Sequence, residues 1–209
     1  MSDRDILISV VIVNYRVPLY LRQAIRSLLD AVLVERTEII VVDNASKDDS
    51  EQIITADFPQ IQWIGLKNNV GFGKACNVGA RVASGKYLLF LNPDTIVSKN
   101  TLSILVEFMQ SHPEAGLVGP KILNPDGTLQ VSCRRGFPTP SVAFYKLWGL
   151  SALFPKSKRF GRYNMTYLDP DATSEVDAVS GSCMFMEREL FRTLNGFDER
   201  FFMYGEDLD

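Results

Sequence analysis

The chain of 209 residues is poor in the residues that hold most metal and acyl-transfer sites, with three cysteines and a single histidine. The cysteines are widely spaced and form no CxxC pair, which argues against a zinc site and against a disulfide framework. The one histidine, His112, precedes Pro113 at a predicted helix end, where it is expected to cap carbonyls rather than catalyse. We therefore assemble no Ser/His/Asp set, and acyl-transfer hydrolysis is disfavoured.

The chain also lacks a charge excess and a long hydrophobic run. Its net charge of −3 carries no global signature of nucleic-acid binding, and we expect no nucleic-acid partner. The apolar stretch from Ile6 to Val13 is too short to span a membrane, and no later stretch reaches the required length. We therefore expect a cytoplasmic protein. Its 46% hydrophobic content is ordinary for a folded domain with a substantial core.

The first half of the chain alternates strand and helix patterns. Strands are predicted at 6–14, 38–43, 61–66 and 86–91, and helices at 18–33, 48–58, 73–83 and 99–111. This alternation predicts an α/β fold with a mostly parallel central sheet and helices on both faces. Two short strands around a turn at 122–130 and strand-like residues at 176–186 predict a smaller mixed β region in the second half.

The buried strand that ends at Leu91 is followed by Asn92-Pro93-Asp94, the most informative motif in the chain. Proline cannot donate to a sheet ladder, so Asp94 is predicted at the carboxyl edge of the strand, where open α/β sheets bind ligands. A carboxylate there suits Mg²⁺ or Mn²⁺ held against a diphosphate. The same triplet recurs at 124–126 before a glycine, which is typical of a turn, and we assign that copy no catalytic role.

Polar residues also follow the first two predicted strands. Asn14 and Tyr15 end the first strand, and Asp43 and Asn44 end the second, so parallel pairing would bring them to the same edge. Asp43 is placed to accept hydrogen bonds from a nucleobase or ribose. The alternative is that Asp43, Asn44 and Ser46 cap the following helix, although Asp43 lies early for that role.

A Gly-rich turn containing Asn69, Gly71 and Gly73 opens the predicted helix that carries Asn77. Its amides are placed to receive a phosphate at the helix N-terminus. The turn matches the dinucleotide-binding fingerprint only in part, and a simple tight strand-to-helix turn explains it equally well.

Three carboxylates, Glu206, Asp207 and Asp209, fall within four residues after an aromatic segment. One interpretation is an acidic helix N-terminus, which the helix dipole favours. The other is a general base near a reacting hydroxyl, partly desolvated by Phe201, Phe202 and Tyr204.

Residues 134–163 contain seven lysines or arginines and no acid, interleaved with aromatic and aliphatic residues. In one interpretation the apolar side packs on the core and the charges are solvated. In the other the region is a surface for an anionic, apolar partner, such as a lipid-linked phosphate, with peripheral contact at the inner face of the membrane.

Together these segments resemble family 2 glycosyltransferases with the glycosyltransferase A fold, over nearly the whole chain. The motifs that carry the resemblance lie at 11–15, 41–46, 68–77, 90–94, 181–184 and 196–207. Within the family, the chain is most similar to rhamnosyltransferase-like enzymes of bacterial cell-surface polysaccharide assembly.

The resemblance implies an inverting transfer of a sugar, rhamnose by similarity, from a nucleotide-diphosphate sugar to a glycan or lipid-linked acceptor hydroxyl. Asp43 would contact the donor base. Asp94 matches the last acid of the family's metal-binding DxD motif, with Asn92 in place of its first Asp, and the cation would be Mg²⁺ or Mn²⁺. Asp207 matches the catalytic base, with Glu206 beside it. The remaining substrate-binding residues would be Asn14, Tyr15, Asn44, Asn69, Gly71, Gly73, Asn77, Gly181 and Ser182.

We expect residues 1–120 to form the nucleotide-sugar-binding half, and residues 121–209 the acceptor-side half, of one catalytic domain truncated at its C-terminus. Two other functions stay open. A sugar-1-phosphate nucleotidyltransferase would ideally carry a basic Gly-rich loop after the first strand, where residues 14–18 contain no glycine. A nucleotide-sugar-binding domain without turnover would bind donor and release no product.

Overall fold

The computed structural model describes residues 5–208, which form two compact units. The first contains residues 5–118 and 181–207, and the second contains residues 119–180 and Leu208. Residues 181–207 thus pack with the first 118 residues, whereas the sequence division at residue 120 placed them in the second half. The functional assignment of the two halves stays a prediction.

The strands, in chain order, are β1 (Ile8–Asn14), β2 (Thr37–Asp43), β3 (Gln62–Gly65), β4 (Tyr87–Leu91), β5 (Leu117–Val118), β6 (Arg134–Arg135), β7 (Ala178–Val179) and β8 (Cys183–Glu187). The α-helices are α1 (Pro18–Leu29), α2 (Ser50–Asp57), α3 (Phe72–Val82), α4 (Thr101–Ser111), α5 (Pro140–Leu147), α6 (Leu150–Leu153) and α7 (Arg188–Thr193). Short 3₁₀ turns lie at Val34–Arg36 and Val131–Cys133. Helix α1 ends at Leu29, earlier than the predicted end at residue 33, and Leu33 adopts the left-handed conformation with φ 73° before the first 3₁₀ turn.

The first unit is built on a six-stranded sheet with the order β3-β2-β1-β4-β8-β5. Strands β3, β2, β1 and β4 are parallel, and β8 runs antiparallel to both β4 and β5. Every residue of β1 and of β4 is buried, which requires cover on both faces of the sheet. The predicted α/β fold with a mostly parallel sheet flanked by helices is confirmed.

The register places the ends of three parallel strands at one edge of the sheet, here called the carboxyl rim. Asn14 of β1 lies opposite Asp43 of β2, and Ile12 of β1 lies opposite Leu91 of β4. Strand β8 begins at the same edge, since Cys183 pairs with Leu91. Because β2 and β4 both flank β1, their ends lie about 10 Å apart, two strand spacings.

Aromatic packing fastens the segment after β8 to the sheet. The fully buried Phe90 ring of β4 lies with its centroid 4.9 Å from that of Phe191 and 5.1 Å from that of Phe197. Phe191 and Phe197 also contact each other edge-on at 5.3 Å. The path of the chain toward residue 207 is therefore anchored to the same strand that ends at the Asn92-Pro93-Asp94 motif.

Helix α3 packs closely on β1 and β2 because it carries a glycine at the contact. A Cβ added to Gly79 would lie 2.5 Å from Cγ1 of Val11 and 3.2 Å from Cγ2 of Val42. Both valines are buried and β-branched, so they have little rotamer freedom with which to clear the space. Gly79 thus fixes how near α3 lies to the sheet.

We expect Gly79→Ala to lower the free energy of unfolding by about 1–3 kcal/mol, because the core must absorb an added methyl group. For a chain of this size the melting temperature should fall by about 2–4 °C for each kcal/mol. Gly65→Ala is the matched control, since a Cβ there would meet Trp63 Nε1 at an ordinary 3.8 Å. An unchanged melting temperature for Gly79→Ala would contradict the close contact.

The second unit contains little regular structure. Strands β6 and β7 pair antiparallel, and residues 122–130 form an isolated bridge between Leu123 and Leu129 rather than two strands. The guanidinium of Arg134 donates to the carbonyl oxygens of Leu168 at 2.7 Å and Asp169 at 3.0 Å, which ties distant parts of this unit together. Across residues 5–208, no helix is both long enough and apolar enough to cross a bilayer.

Candidate active site

The ends of β1 and β2 are joined by a polar network around Asp43. Nδ2 of Asn14 donates to Asp43 Oδ1 at 2.8 Å and lies 3.2 Å from Ser46 Oγ. The backbone N–H of Ser46 donates to Asp43 Oδ2 at 3.0 Å, and the Ser46 hydroxyl donates to Oδ1. Asp43 therefore organises the turn that follows β2 and does not cap α2, whose N-cap residue is Asp49.

The network leaves two acceptor positions at the carboxyl rim. A carboxylate offers about four lone-pair sites, and the contacts of Asp43 use three. Asn14 is fully buried, and its Oδ1 atom accepts no hydrogen bond within residues 5–208. Leaving such an atom unpaired costs about 1–3 kcal/mol, so an orphan acceptor of this kind needs an explanation.

The two loops of this network carry backbone strain that the sequence pattern did not indicate. Arg16, Ala45 and Lys47 have φ values of 58°, 64° and 54°, a region that residues with a side chain seldom adopt. Arg16 holds its loop in place, since its backbone N–H donates to Ser46 Oγ at 2.9 Å and its Nε to the Ser46 carbonyl at 3.1 Å. Strain of this kind gathers at functional sites.

Asn44 links β2 to the Gly-rich turn. It is buried, with Nδ2 donating to Asn69 Oδ1 at 2.9 Å and to the Gly71 carbonyl at 3.2 Å, while its Oδ1 accepts from Val70 N at 2.9 Å. Asn69 Oδ1 also accepts from Gly71 N at 3.0 Å. Both amides hold the turn in shape, and their part in substrate binding stays a prediction.

The Gly-rich turn packs directly against the segment before Asp207. Gly71 has φ 89°, and a Cβ there would lie 2.3 Å from the Phe202 carbonyl oxygen. That oxygen accepts from the N–H of Phe72, the first residue of α3, at 3.0 Å. One of the amides that we expected to face a phosphate is therefore used within the chain.

Asn77 holds the same segment from the next turn of α3. Its Oδ1 accepts from Phe197 N and its Nδ2 donates to Phe197 O, both at 2.9 Å. Gly196 makes this possible, because with φ 77° any Cβ would lie 2.5 Å from Asn77 Oδ1. These contacts give Asn77 a structural role, and its predicted contact with substrate stays a prediction.

Asp207 and the Asn92-Pro93-Asp94 motif meet at the start of β8. The N–H of Gly181 donates to Asp207 Oδ2 at 3.0 Å, and the N–H of Asn92 donates to the carbonyl of Ser182, also at 3.0 Å. Asp207 is half-buried. The structure thus brings Asn92, Gly181, Ser182 and Asp207 together at the carboxyl rim.

Glu206 lies on the inner side of this cluster. It is 9% exposed, and a Cβ added to Gly73 would lie 3.4 Å from Glu206 Cβ, so the glycine makes room for it. Burial, and secondarily the charge of Glu206, raise the pKa of the Cys76 thiol well above its ordinary value. Of the two neighbouring acids, Asp207 is the one nearer solvent.

The candidate metal residues have uncommitted side chains. Asp94 is exposed, and within residues 5–208 neither its carboxylate nor the side-chain amide of Asn92 makes a hydrogen bond or ion pair. No group of three His, Cys, Asp or Glu side chains in that range could form an all-protein cage. One carboxylate with an amide oxygen fits Mg²⁺ or Mn²⁺, which bind one or two carboxylates together with substrate phosphates.

The aromatic shield predicted for the acidic segment is wrong for two of its three rings. Phe202 is 57% and Tyr204 82% exposed, whereas Phe201 is half-buried. Tyr204 adopts φ 67° and Gly205 φ 100°, a tight turn that directs the chain to Glu206. Tyr15 is also exposed, at 42%, whereas Asp209 lies outside the described residues.

Sequence reasoning did not single out Lys74. Its Nζ lies 3.0 Å from Glu199 Oε2, and this hydrogen bond lowers the pKa of Glu199 below its ordinary value. The pair joins the first turn of α3 to the segment that leads to Asp207. A lysine in a helical first turn carries no signal of its own, so only the fold could identify it.

A family model described as "Glycosyl transferase family 2" matches residues 9–194. The N-acetylglucosaminyl-diphospho-decaprenol L-rhamnosyltransferase of Mycobacterium tuberculosis is 29% identical over 213 residues, covering 96% of this chain and 67% of that protein.

Two solved structures share the fold. TarS 1–349 of S. aureus in complex with UDP aligns with a TM-score of 0.67 at 21% identity, covering 97% of this chain and 53% of that one. The mannosyltransferase PcManGT from Pyrobaculum calidifontis, in complex with GDP-Man and Mn²⁺, aligns at 0.61 and 18% identity, covering 92% and 47%. The chain spans about half the length of the solved structures it matches.

Proposed function

Since the chain belongs to glycosyl transferase family 2, we propose that it transfers a sugar from a nucleotide-diphosphate donor to an acceptor hydroxyl with inversion at the anomeric carbon. The observation that carries the proposal is the carboxyl rim. Asp43 ends β2, Asn92 and Asp94 follow β4, and Asp207 bonds to Gly181 beside the start of β8. Open α/β sheets bind nucleotides at this edge.

The donor nucleotide would lie over the ends of β1 and β2. The remaining lone pair of Asp43 would accept from the base or ribose. Asn14 is fully buried and would act on the donor through the hydrogen bond by which it holds Asp43. The exposed ring of Tyr15 adds an apolar face beside them. This assignment gives a function to the strained loops around Asp43, which contain three left-handed residues.

A divalent cation would be held by Asp94, with the Asn92 amide oxygen as a weaker second ligand. Mg²⁺ or Mn²⁺ bound there would neutralise charge on the diphosphate leaving group. Support comes from the uncommitted Asp94 carboxylate and from PcManGT, which shares the fold and was solved in complex with GDP-Man and Mn²⁺. With one carboxylate rather than two, we expect the metal to bind tightly only when the donor phosphates are present.

Asp207 would act as the general base. Its carboxylate would take the proton of the acceptor hydroxyl as that oxygen attacks the anomeric carbon, while the bond from that carbon to the diphosphate oxygen breaks on the opposite face. The Gly181 N–H orients the carboxylate by donating to Oδ2. Glu206 would support this position from its buried place against α3 rather than take the proton.

The sugar and acceptor are proposed from the relatives. The M. tuberculosis protein is named as an L-rhamnosyltransferase acting on a diphospho-decaprenol-linked sugar, and we propose rhamnose and a glycan or lipid-linked acceptor here. The place of action would be the cytoplasmic side of cell-surface polysaccharide synthesis. One solved structure is a complex with UDP and another a complex with GDP-Man, so the nucleobase of the donor has to be identified by experiment.

The test is a thermal-shift panel of UDP-, dTDP- and GDP-sugars with and without Mn²⁺. At 100 times its dissociation constant, the correct donor should stabilise the chain by about 2.7 kcal/mol, which is roughly 5–10 °C for a chain of this size. We expect one base class to give this shift, and Mn²⁺ to enlarge it. The same mixtures, supplied with an acceptor, should release the nucleoside diphosphate.

The outcomes separate the candidate functions. A shift without product in every mixture would favour a binding domain without turnover. Release of pyrophosphate from a nucleoside triphosphate and a sugar-1-phosphate would indicate a nucleotidyltransferase. No shift with any nucleotide sugar would contradict the donor site at the carboxyl rim.

A further inference from the structure

The second unit exposes an unusual amount of apolar side chain in a short stretch, residues 137–162, here called the basic-aromatic surface. Six large apolar residues are between 52% and 84% exposed: Phe137, Phe144, Leu147, Trp148, Leu153 and Phe154. Single exposed apolar residues are ordinary on protein surfaces, whereas contiguous groups mark interaction sites.

Helix α5 is the centre of this surface. Phe144, Leu147 and Trp148 are spaced i, i+3, i+4, so they share one side of the helix. The rings of Phe144 and Trp148 lie 5.7 Å apart between centroids, which makes a continuous apolar face. Val142 is the one residue of α5 that is buried. The helix therefore exposes to solvent an apolar side, whereas most surface helices pack that side against the protein core.

The same stretch carries positive charge and no acid. Lys146, Lys156, Lys158, Arg159 and Arg162 are all exposed. Within residues 5–208, Lys156 and Lys158 form no ion pair, and Lys146 lies 3.8 Å from the centre of the Tyr163 ring. Arg162 forms a long ion pair with Asp177, at 3.9 Å. The charge of this surface is thus left almost entirely for an external anion.

We propose that the basic-aromatic surface docks on an anionic lipid bilayer. The apolar face of α5 would enter the headgroup region, and the lysines and arginines around it would contact lipid phosphates. A bilayer satisfies both features at once, because it offers a continuous apolar layer beneath a sheet of negative charge. The inference does not rest on the proposed sugar transfer, since it needs neither donor nor acceptor.

The test is flotation of the chain with vesicles of phosphatidylcholine, pure or with about a quarter phosphatidylglycerol. We expect binding to the anionic vesicles that weakens with salt. The double variant Lys156→Gln, Lys158→Gln should weaken vesicle binding about 25-fold, because each lysine near an anionic surface contributes about fivefold to the binding constant. The double variant Leu147→Ser, Trp148→Ser should weaken vesicle binding about tenfold or more, because two apolar side chains would no longer be buried in the bilayer.

Matched controls come from exposed residues of the first unit. Lys67→Gln with Lys99→Gln removes two exposed lysines, and Ile104→Ser removes an apolar side chain that is 59% exposed. These variants should bind vesicles as the parent chain does. Absence of binding to anionic vesicles, or an equal loss in the controls, would overturn the proposal. A third outcome would also overturn it: the double variant Leu147→Ser, Trp148→Ser abolishes self-association of the chain but still binds vesicles. The apolar face of α5 would then bind a second copy of the chain.

Discussion

Replacement of Asp207 by asparagine should reduce sugar transfer by about 10²–10⁴-fold, the usual contribution of a general base. The amide has nearly the same shape as the carboxylate, and its oxygen can still accept from the Gly181 N–H that holds Asp207 at 3.0 Å. Asparagine cannot take the acceptor's proton. The rate should therefore fall while donor binding, measured as the thermal shift, stays unchanged.

Two further variants make this result specific. Glu107→Gln removes an exposed carboxylate on α4 and should leave the transfer rate as it was. Glu206→Gln changes the buried neighbour, and we expect it to alter the melting temperature more than the Asp207 variant does. If Asp207→Asn transfers sugar at the parent rate, the base must be sought elsewhere.

The second large effect is expected from Asp94→Asn. Losing the carboxylate that holds the cation removes stabilisation of the leaving diphosphate, and one such electrostatic contact is typically worth about 10²–10³-fold in rate. The increment that Mn²⁺ adds to the donor thermal shift should disappear as well. Transfer rate and the Mn²⁺ increment are thus two independent measurements on one substitution.

The chain supplies its own control for this experiment. Asp126 stands in a second Asn-Pro-Asp triplet, where its Oδ1 accepts from the N–H of Thr128 at 2.9 Å and from the Thr128 hydroxyl at 2.7 Å. These hydrogen bonds lower its pKa below the ordinary value, as expected for a carboxylate that closes a turn. Asp126→Asn should leave both measurements unchanged. Equal effects of the two substitutions would refute a metal role for Asp94.

The sheet and its rim were predictable because they rest on local patterns. The apolar runs of residues 10–13 in β1 and 87–91 in β4, each followed by an asparagine, indicate strands covered on both faces. The strand order was not predictable, since nothing local states that β1 lies between β2 and β4. Nor does a local pattern indicate that the chain leaves the first unit at residue 119 and rejoins it at 181.

The roles of the polar residues were harder to infer, because their partners are remote in sequence. Asn77 lies 120 residues from the backbone of Phe197 that it holds. Asn44 bonds to a turn 25 residues away. An asparagine beside a glycine looks the same in sequence whether it binds a ligand or its own chain. The left-handed backbone of Arg16 and Lys47 likewise has no compositional signature.

The close approach of Gly71 to the Phe202 carbonyl has a consequence for how the protein can be altered. Residues 69–77 and 196–207 are interlocked, because Gly71 lies against the Phe202 carbonyl with no room for a Cβ and the Asn77 side chain bonds to both backbone groups of Phe197. Neither segment is free to shift alone. A chimera that exchanges only the loop before α3 should misplace Asp207, even though no acid is touched. Transplanting both segments together is the exchange that we expect to preserve turnover.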